Sequence, residues 1–255
     1  MSHAADSVVV VIHVAAPLRV RERLVAAADG PREVVHAGPT AIYVDLDGWC
    51  LGLVSAAATR VPCALWSSMA DLGSLAGGSV EVHDGELVVA GEQVRVTRLA
   101  ETRVPPLTLR RAAPAPRSLP VLHGVGDTLL PVDGILTATH VEQLVGRGPG
   151  LTPLGDDVLA GWFATRHAAG LRDTNLAAAV RRRLGVTTLL SATLLDCALR
   201  GEALPQLTAW LAEPTPSTTE ALLTVGASSG TGLLAGAELA LTSLTGGVSR
   251  PGRAA

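Results

Sequence analysis

A proline-rich stretch near the middle constrains this chain more than any other feature. Residues 104–120 read VPPLTLRRAAPAPRSLP, with five prolines and neither a helical nor a strand period. Proline fixes φ and removes a backbone donor, so this stretch reads as an extended linker between two folding units. The two sides carry different periods. Before it, short apolar or alternating runs at 8–14, 41–46 and 50–55 are bounded by Gly and Pro and read as strands. Val80–His83 and Glu86–Val89 flank Asp84-Gly85, a pair suited to the positive φ angles of a type I′ turn, and a run at 94–97 extends this hairpin to a meander. One short helix is predicted at 18–28. After the linker the period becomes helical, over 134–145, 153–169, 175–184, 187–199, 204–211, 218–225 and 230–244. The predicted class is α+β: a β-rich domain over 1–103, the linker over 104–120, and an all-α domain over 121–255.

Composition narrows the chemistry. The 255 residues hold six aromatics, so the core must be built from Val, Leu and Ala. All twenty basic residues are Arg. A chain without lysine forms no Schiff base and completes neither a P-loop nor a kinase-type site. A net charge of −3 argues against a nucleic-acid partner, and the one basic run, Arg181-Arg182-Arg183, reads as a solvated helix face. Cys50, Cys63 and Cys197 are odd in number and lack CxxC spacing, which fits buried thiols in a reducing compartment. The apolar run at 8–14 follows Asp6 rather than a basic segment and reads as a strand, not a signal peptide. No run is long enough for a membrane helix, so a cytoplasmic protein is expected.

The segment 146–157, GRGPGLTPLGDD, holds the most chemistry. Gly146, Gly148 and Gly150 permit positive φ, which turns successive N–H groups inward as an anion-binding nest. Thr152-Pro153 suits an N-cap and first helical position, so the loop delivers a ligand to a helix N-terminus. Arg147 could clamp a phosphate or carboxylate. By 100° spacing, Val158, Leu159, Trp162 and Phe163 form the buried face, Asp156 lies at its edge, and Asp157 points almost opposite. Asp156 could act as a base, orient an amine or hold Mg²⁺; two acids in a first turn also simply complement the helix dipole. No metal site or cofactor is otherwise called for, though Mg²⁺ stays open.

Gly155 to Gly161 and Gly230 to Gly236 share the pattern G-x-x-[VL]-L-A-G. Seven positions do not establish a duplication. Stripes at Gly232, Gly236 and Ala240 and at Ala160, Ala164 and Ala168 would let two helices pack closely. Ser228, Ser229 and Thr231 remain candidate ligand contacts at a helix start. The stretch from Gly230 also matches GxGxxA, but with no acid after Glu238 it is no dinucleotide fingerprint. The seven histidines show no metal spacing, and no GxSxG elbow occurs.

At GRGPGLTPLGDD the chain resembles a bacterial family, formerly a domain of unknown function, of the third, accessory-sized subunit of the oxamate carbamoyltransferase of allantoin degradation, a branch of purine catabolism. The family motif GxGPGLTPxGDD is matched at Gly148 to Pro153 and at Gly155, Asp156 and Asp157, with Leu154 replacing a small hydroxyl residue. Weaker similarity covers Thr188 to Ser191, Leu194 and Gly201, then Gly226 to Gly236. In the second loop the family carries His-like and acidic positions where this chain has Ala227 and Gly232. The resemblance implies carbamoyl transfer between carbamoyl phosphate and an amide nitrogen, within a complex of several subunits. Asp156 and Asp157 would then be catalytic, with Arg147, Gly148, Gly150, Thr152, Gly155, Ser228, Ser229 and Thr231 on the anionic substrate. A non-catalytic assembly subunit and a Mg²⁺-dependent hydrolase on a helical scaffold are the alternatives. No nucleic-acid or membrane partner is expected.

Overall fold

The computed structural model describes residues 11–107 and 130–246. Residues 8–10 of the first predicted strand, most of the proline-rich linker, His3 and His123 lie outside them. The chain divides between Glu101 and Thr102 into two compact units.

Among the described residues the first unit is a nine-stranded sheet with one helix. Its strands are β1 (Val11–Pro17), β2 (Gly30–Pro31), β3 (Val34–Ala37), β4 (Ala41–Asp45), β5 (Cys50–Val54), β6 (Ala64–Ser67), β7 (Val80–His83), β8 (Glu86–Val89) and β9 (Glu92–Ala100), with α1 (Leu18–Ala26) after β1. The order across the sheet is β2-β7-β8-β9-β1-β6-β5-β4-β3. The β1–β9 and β5–β6 pairs are parallel and the others antiparallel. Tight turns carry the hairpins: Asp84 and Gly85 have φ of 49° and 73°, both positive as their types require. Sequence periodicity missed β3 and β6. The first is a fully exposed edge without alternation, and the second is four residues long. Cys50 and Cys63 are buried in this sheet, and burial, with Asp45 nearby, pushes the Cys50 thiol up to about 12.

The second unit is helical, so the α+β class holds. It contains α2 (Ala138–Leu144), α3 (Leu154–Ala168), α4 (Thr174–Arg183), α5 (Leu189–Leu199), α6 (Pro205–Ala212), α7 (Pro216–Leu223) and α8 (Ser229–Gly246). The first of these begins later than expected. Gly134 has φ of 73° and lies against the Leu239 carbonyl, and the helix starts only where Thr137 and His140 form a capping box. The α3 helix is apolar nearly all round, with thirteen of fifteen residues buried, so it forms the core of the unit. Val158, Leu159, Trp162 and Phe163 are all buried, as their spacing predicts.

The short sequence echo is a structural repeat. In the α2–α3 copy, the Arg147 N–H donates to Leu144 O at 3.0 Å and the Gly155 N–H to Arg147 O at 2.9 Å. In the α7–α8 copy, the Val225 N–H donates to Leu222 O at 3.1 Å and the Gly230 N–H to Val225 O at 2.9 Å. The copies also pack on each other reciprocally. A Cβ on Gly161 would lie 2.1 Å from Leu233 O, and one on Gly236 would lie 1.9 Å from Val158 O. Leu233 and Val158 hold the same position in the two echoes. Gly232 faces Leu154 and Asp157, and Gly236 faces Val158 and Trp162, so α3 and α8 run parallel with their N-termini at one end. The α3 side of this contact is thus Leu154, Asp157, Val158 and Gly161.

Gly236→Ala separates two opposed effects. Alanine gains about 1 kcal/mol in helix propensity, whereas overpacking costs about 1–3 kcal/mol or more. The Cβ would meet a backbone carbonyl that cannot rotate aside, so the clash wins. Urea unfolding followed by circular dichroism should show a net loss of about 2 kcal/mol for Gly236→Ala, and a similar loss for Gly161→Ala. Unchanged or raised stability in both variants would contradict the reciprocal packing.

Candidate functional site

The glycine-rich loop joins α2 to α3 and adopts the backbone its glycines permit. Gly146, Gly148 and Gly150 have φ of 75°, 117° and 95°. The N–H groups of Gly148, Gly150, Leu151 and Thr152 donate to no protein acceptor among the described residues, which leaves them for solvent or a ligand. The Arg147 side chain is exposed and has no acidic partner among the described residues. Behind the loop is the first turn of a fifteen-residue helix, whose dipole favours an anion.

The helix starts differently from the sequence expectation. Pro153 is the N-cap residue and no side chain caps the turn. The Thr152 hydroxyl instead pairs with the Ser229 hydroxyl at 2.8 Å. Ser229 is the first residue of α8. The two hydroxyls therefore bridge the N-termini of two parallel helices.

Both aspartates are buried, at 1% and 6% exposure for Asp156 and Asp157. The expectation that Asp157 points away from the packed face is corrected: α8 covers that side of α3, and the 100° construction assumed only one packed face. Gly232 makes this possible, since a Cβ there would lie 2.7 Å from the Asp157 Cβ. The site thus has room for a carboxylate from one copy of the repeat only.

The two carboxyls are satisfied differently. Asp156 accepts from the Gly146 N–H at 2.8 Å and the Ser191 hydroxyl at 2.7 Å, and a short hydrogen bond comes from Thr187. It ties the loop to the start of α5, where Thr188 caps the helix and donates to Leu151 O. Burial raises the Asp156 pKa, against the lowering effect of these hydrogen bonds. Asp157 has the Ser229 hydroxyl as its hydrogen-bond partner, while its Oδ2 is buried without one. Burial pushes the Asp157 pKa well above the usual carboxylate range; Ser229 opposes this and Asp156 adds to it. A carboxyl, when protonated, can donate a hydrogen bond.

The structure gathers Arg147, Gly148, Gly150, Thr152, Gly155, Asp156, Asp157 and Ser229 around the two helix starts. Gly155 contributes by close approach, since a Cβ there would lie 2.1 Å from Leu144 O. Ser228 and Thr231 flank Ser229 in the chain, with Ser228 exposed and Thr231 half-buried, and neither side chain joins the hydroxyl pair. Arg166 pairs with Asp173 at 2.9 Å and lies over Trp162, toward the other end of α3. Twelve residues at 1.5 Å rise put it about 18 Å from the helix start. Among the described residues no group of three or more His, Cys, Asp or Glu side chains could hold a metal ion. Thr187 was not legible as part of the site, although the hydroxyl pair Thr187-Thr188 opening the helix predicted over 187–199 is the signal that would have marked it.

Residues 144–241 match the model of the family described as oxamate carbamoyltransferase subunit AllH. The family that the glycine-rich segment resembles is therefore the family whose model matches, and the match contains both helix starts, both aspartates and α5. No curated protein and no solved structure matches the chain. No helix among the described residues is long and apolar enough to cross a membrane.

The raised Asp157 pKa fixes the sign of a pH effect. The folded state binds this proton more tightly than the unfolded chain, whose carboxyl titrates near 3.8. Its contribution to stability is therefore full below that value and is lost as pH rises through the folded pKa. Urea unfolding of the wild type should show stability falling from pH 5 to pH 8 relative to Asp157→Asn, which carries no titrating group. Parallel pH profiles for the two proteins would show that Asp157 titrates normally.

Proposed function

We propose that this chain is a subunit of an oxamate carbamoyltransferase complex, acting on carbamoyl phosphate and oxamate, and that its glycine-rich loop binds their anionic groups. The matching family is that of a subunit of this enzyme. The observation that carries the reading at residue level is the convergence of two helix N-termini, bridged by Thr152 and Ser229 above the buried Asp157. Two helix dipoles, unpaired loop N–H groups and Arg147 all favour an oxyanion at the same end.

Asp157, Ser229 and Thr152 form a hydrogen-bonded chain whose direction depends on one proton. With Asp157 protonated, the acid donates to Ser229, Ser229 to Thr152, and the Thr152 proton is presented to an anion. With Asp157 ionised the chain reverses, and the Thr152 oxygen can accept a proton. In carbamoyl transfer the oxamate nitrogen bonds to the carbamoyl carbon, the carbon–oxygen bond to phosphate breaks, and the nitrogen loses a proton. The chain supplies a route for that proton, and the loop N–H groups stabilise charge on the carbamoyl oxygen or the departing phosphate. Asp156 is a positioning residue in this account, since protein donors take up both of its oxygens. This same saturation disfavours Mg²⁺ chemistry on paired aspartates.

Partners complete the site. Leu151, Val186 and Leu223 are exposed apolar residues. Leu151 belongs to the loop, Val186 lies against Gly146, and Leu223 lies against Gly230. A second subunit seated on them would exclude water from the loop. Buried thiols at Cys50, Cys63 and Cys197 suit a reducing, cytoplasmic setting.

The test is carbamoyl transfer by the complex reconstituted with its partner subunits, following phosphate release and the carbamoylated product. Ser229→Ala should lower turnover by about 100-fold or more, the range of a lost proton-transfer group, while circular dichroism stays unchanged. The isolated chain should show no turnover. Full activity of the Ser229→Ala complex would remove the hydroxyl chain from the mechanism.

A further inference from the structure

We propose a second oxyanion site, in the sheet unit and independent of the glycine-rich loop. A cavity of about 350 Å³ opens on the central strands, where β1 is flanked by β6 and β9. It is an open depression lined by the exposed residues Arg60, Arg98, His13, Ser68 and Thr97 and by the half-buried Trp66, and no carboxylate lines it.

Three observations point to an anionic ligand. First, the two guanidiniums have no acidic partner among the described residues. Three other arginines are paired with acids, in Arg95–Glu86, Arg166–Asp173 and Arg200–Asp196. Two unpaired Arg around one cavity make a local positive field, and a guanidinium's planar fork matches phosphate or carboxylate oxygens. Second, the sheet is locally rearranged there. The β1–β9 register shifts between Val14 and Ala15, pairing Val14 with Val96 and Ala15 with Arg98, so Thr97 is the extra residue of a bulge. Thr97 and Arg98, the residues at this bulge, both line the cavity. Third, Arg60 is steadied in place. Its guanidinium lies 5.8 Å from the Trp66 ring centroid, and that indole donates to Val61 O at 3.0 Å.

The ligand class is a small oxyanion, held by Arg60 and Arg98 with a hydroxyl donor from Ser68, since the Thr97 hydroxyl donates to Val14 O at 3.5 Å. Inorganic phosphate and oxalate are the probes for its tetrahedral and planar forms. The full-length ¹⁵N-labelled protein is titrated with each at constant ionic strength, set with sodium chloride, and the Trp66 indole cross-peak, assigned with Trp66→Phe, is followed. A saturable shift with either probe is expected, and the stronger one identifies the fitting geometry. Arg98→Gln and Arg60→Gln should each weaken that binding by about 10-fold or more, as expected for a lost charged hydrogen bond. Arg147→Gln, in the loop of the helical unit, should leave the titration unchanged, which separates this site from the proposed transferase site. No saturable shift with either probe, or one that survives both arginine variants, would overturn the proposal.

Discussion

The helical unit depends on the contact between α3 and α8. Glycines on each helix meet backbone carbonyls on the other, and the contact is reciprocal across two copies of one short motif. Close parallel packing has a functional consequence, because it brings two helix N-termini to the same end. Helix dipoles repel when aligned side by side, and that cost is offset where both positive ends face one anion or one acid. Asp157 lies beneath those ends, in space that Gly232 leaves open on the opposite copy. The packing that holds the unit together therefore also builds its most polar buried feature.

The two neighbouring aspartates divide the work. Asp156 is surrounded by donors from the loop and α5, so it fixes loop shape. Asp157 has one hydroxyl partner and one oxygen without any, so it is the group still open to change its hydrogen bonding. Adjacent residues acquire these different environments because successive helical side chains point about 100° apart, toward different neighbouring helices.

Much of this was legible in the sequence, and the misses have physical causes. The helices from α3 onward stood out because an Ala/Leu-rich chain with Gly, Pro and Thr joints leaves their period and ends visible. The Asp84-Gly85 hairpin was equally plain, since few residue pairs accept two positive φ angles. Periodicity could not reveal that α3 is buried on every side, which is why Asp157 was placed on the wrong face. Thr152 was read as a helix cap by type; the neighbouring helix supplied Ser229 as its partner instead. The repeat was visible as seven matching positions, but only reciprocal glycine–carbonyl contacts distinguish it from chance in such a composition.

The central claim is that a buried acid at two converging helix starts is coupled to anion binding at the loop. The most direct measurement is the titration of the Asp157 carboxyl by its ¹³Cγ chemical shift, without and with saturating inorganic phosphate. The account predicts a pKa well above the usual carboxylate value without phosphate and a further rise with it, since a bound anion favours the protonated, donating acid. An ordinary carboxylate pKa, unmoved by phosphate, would contradict it.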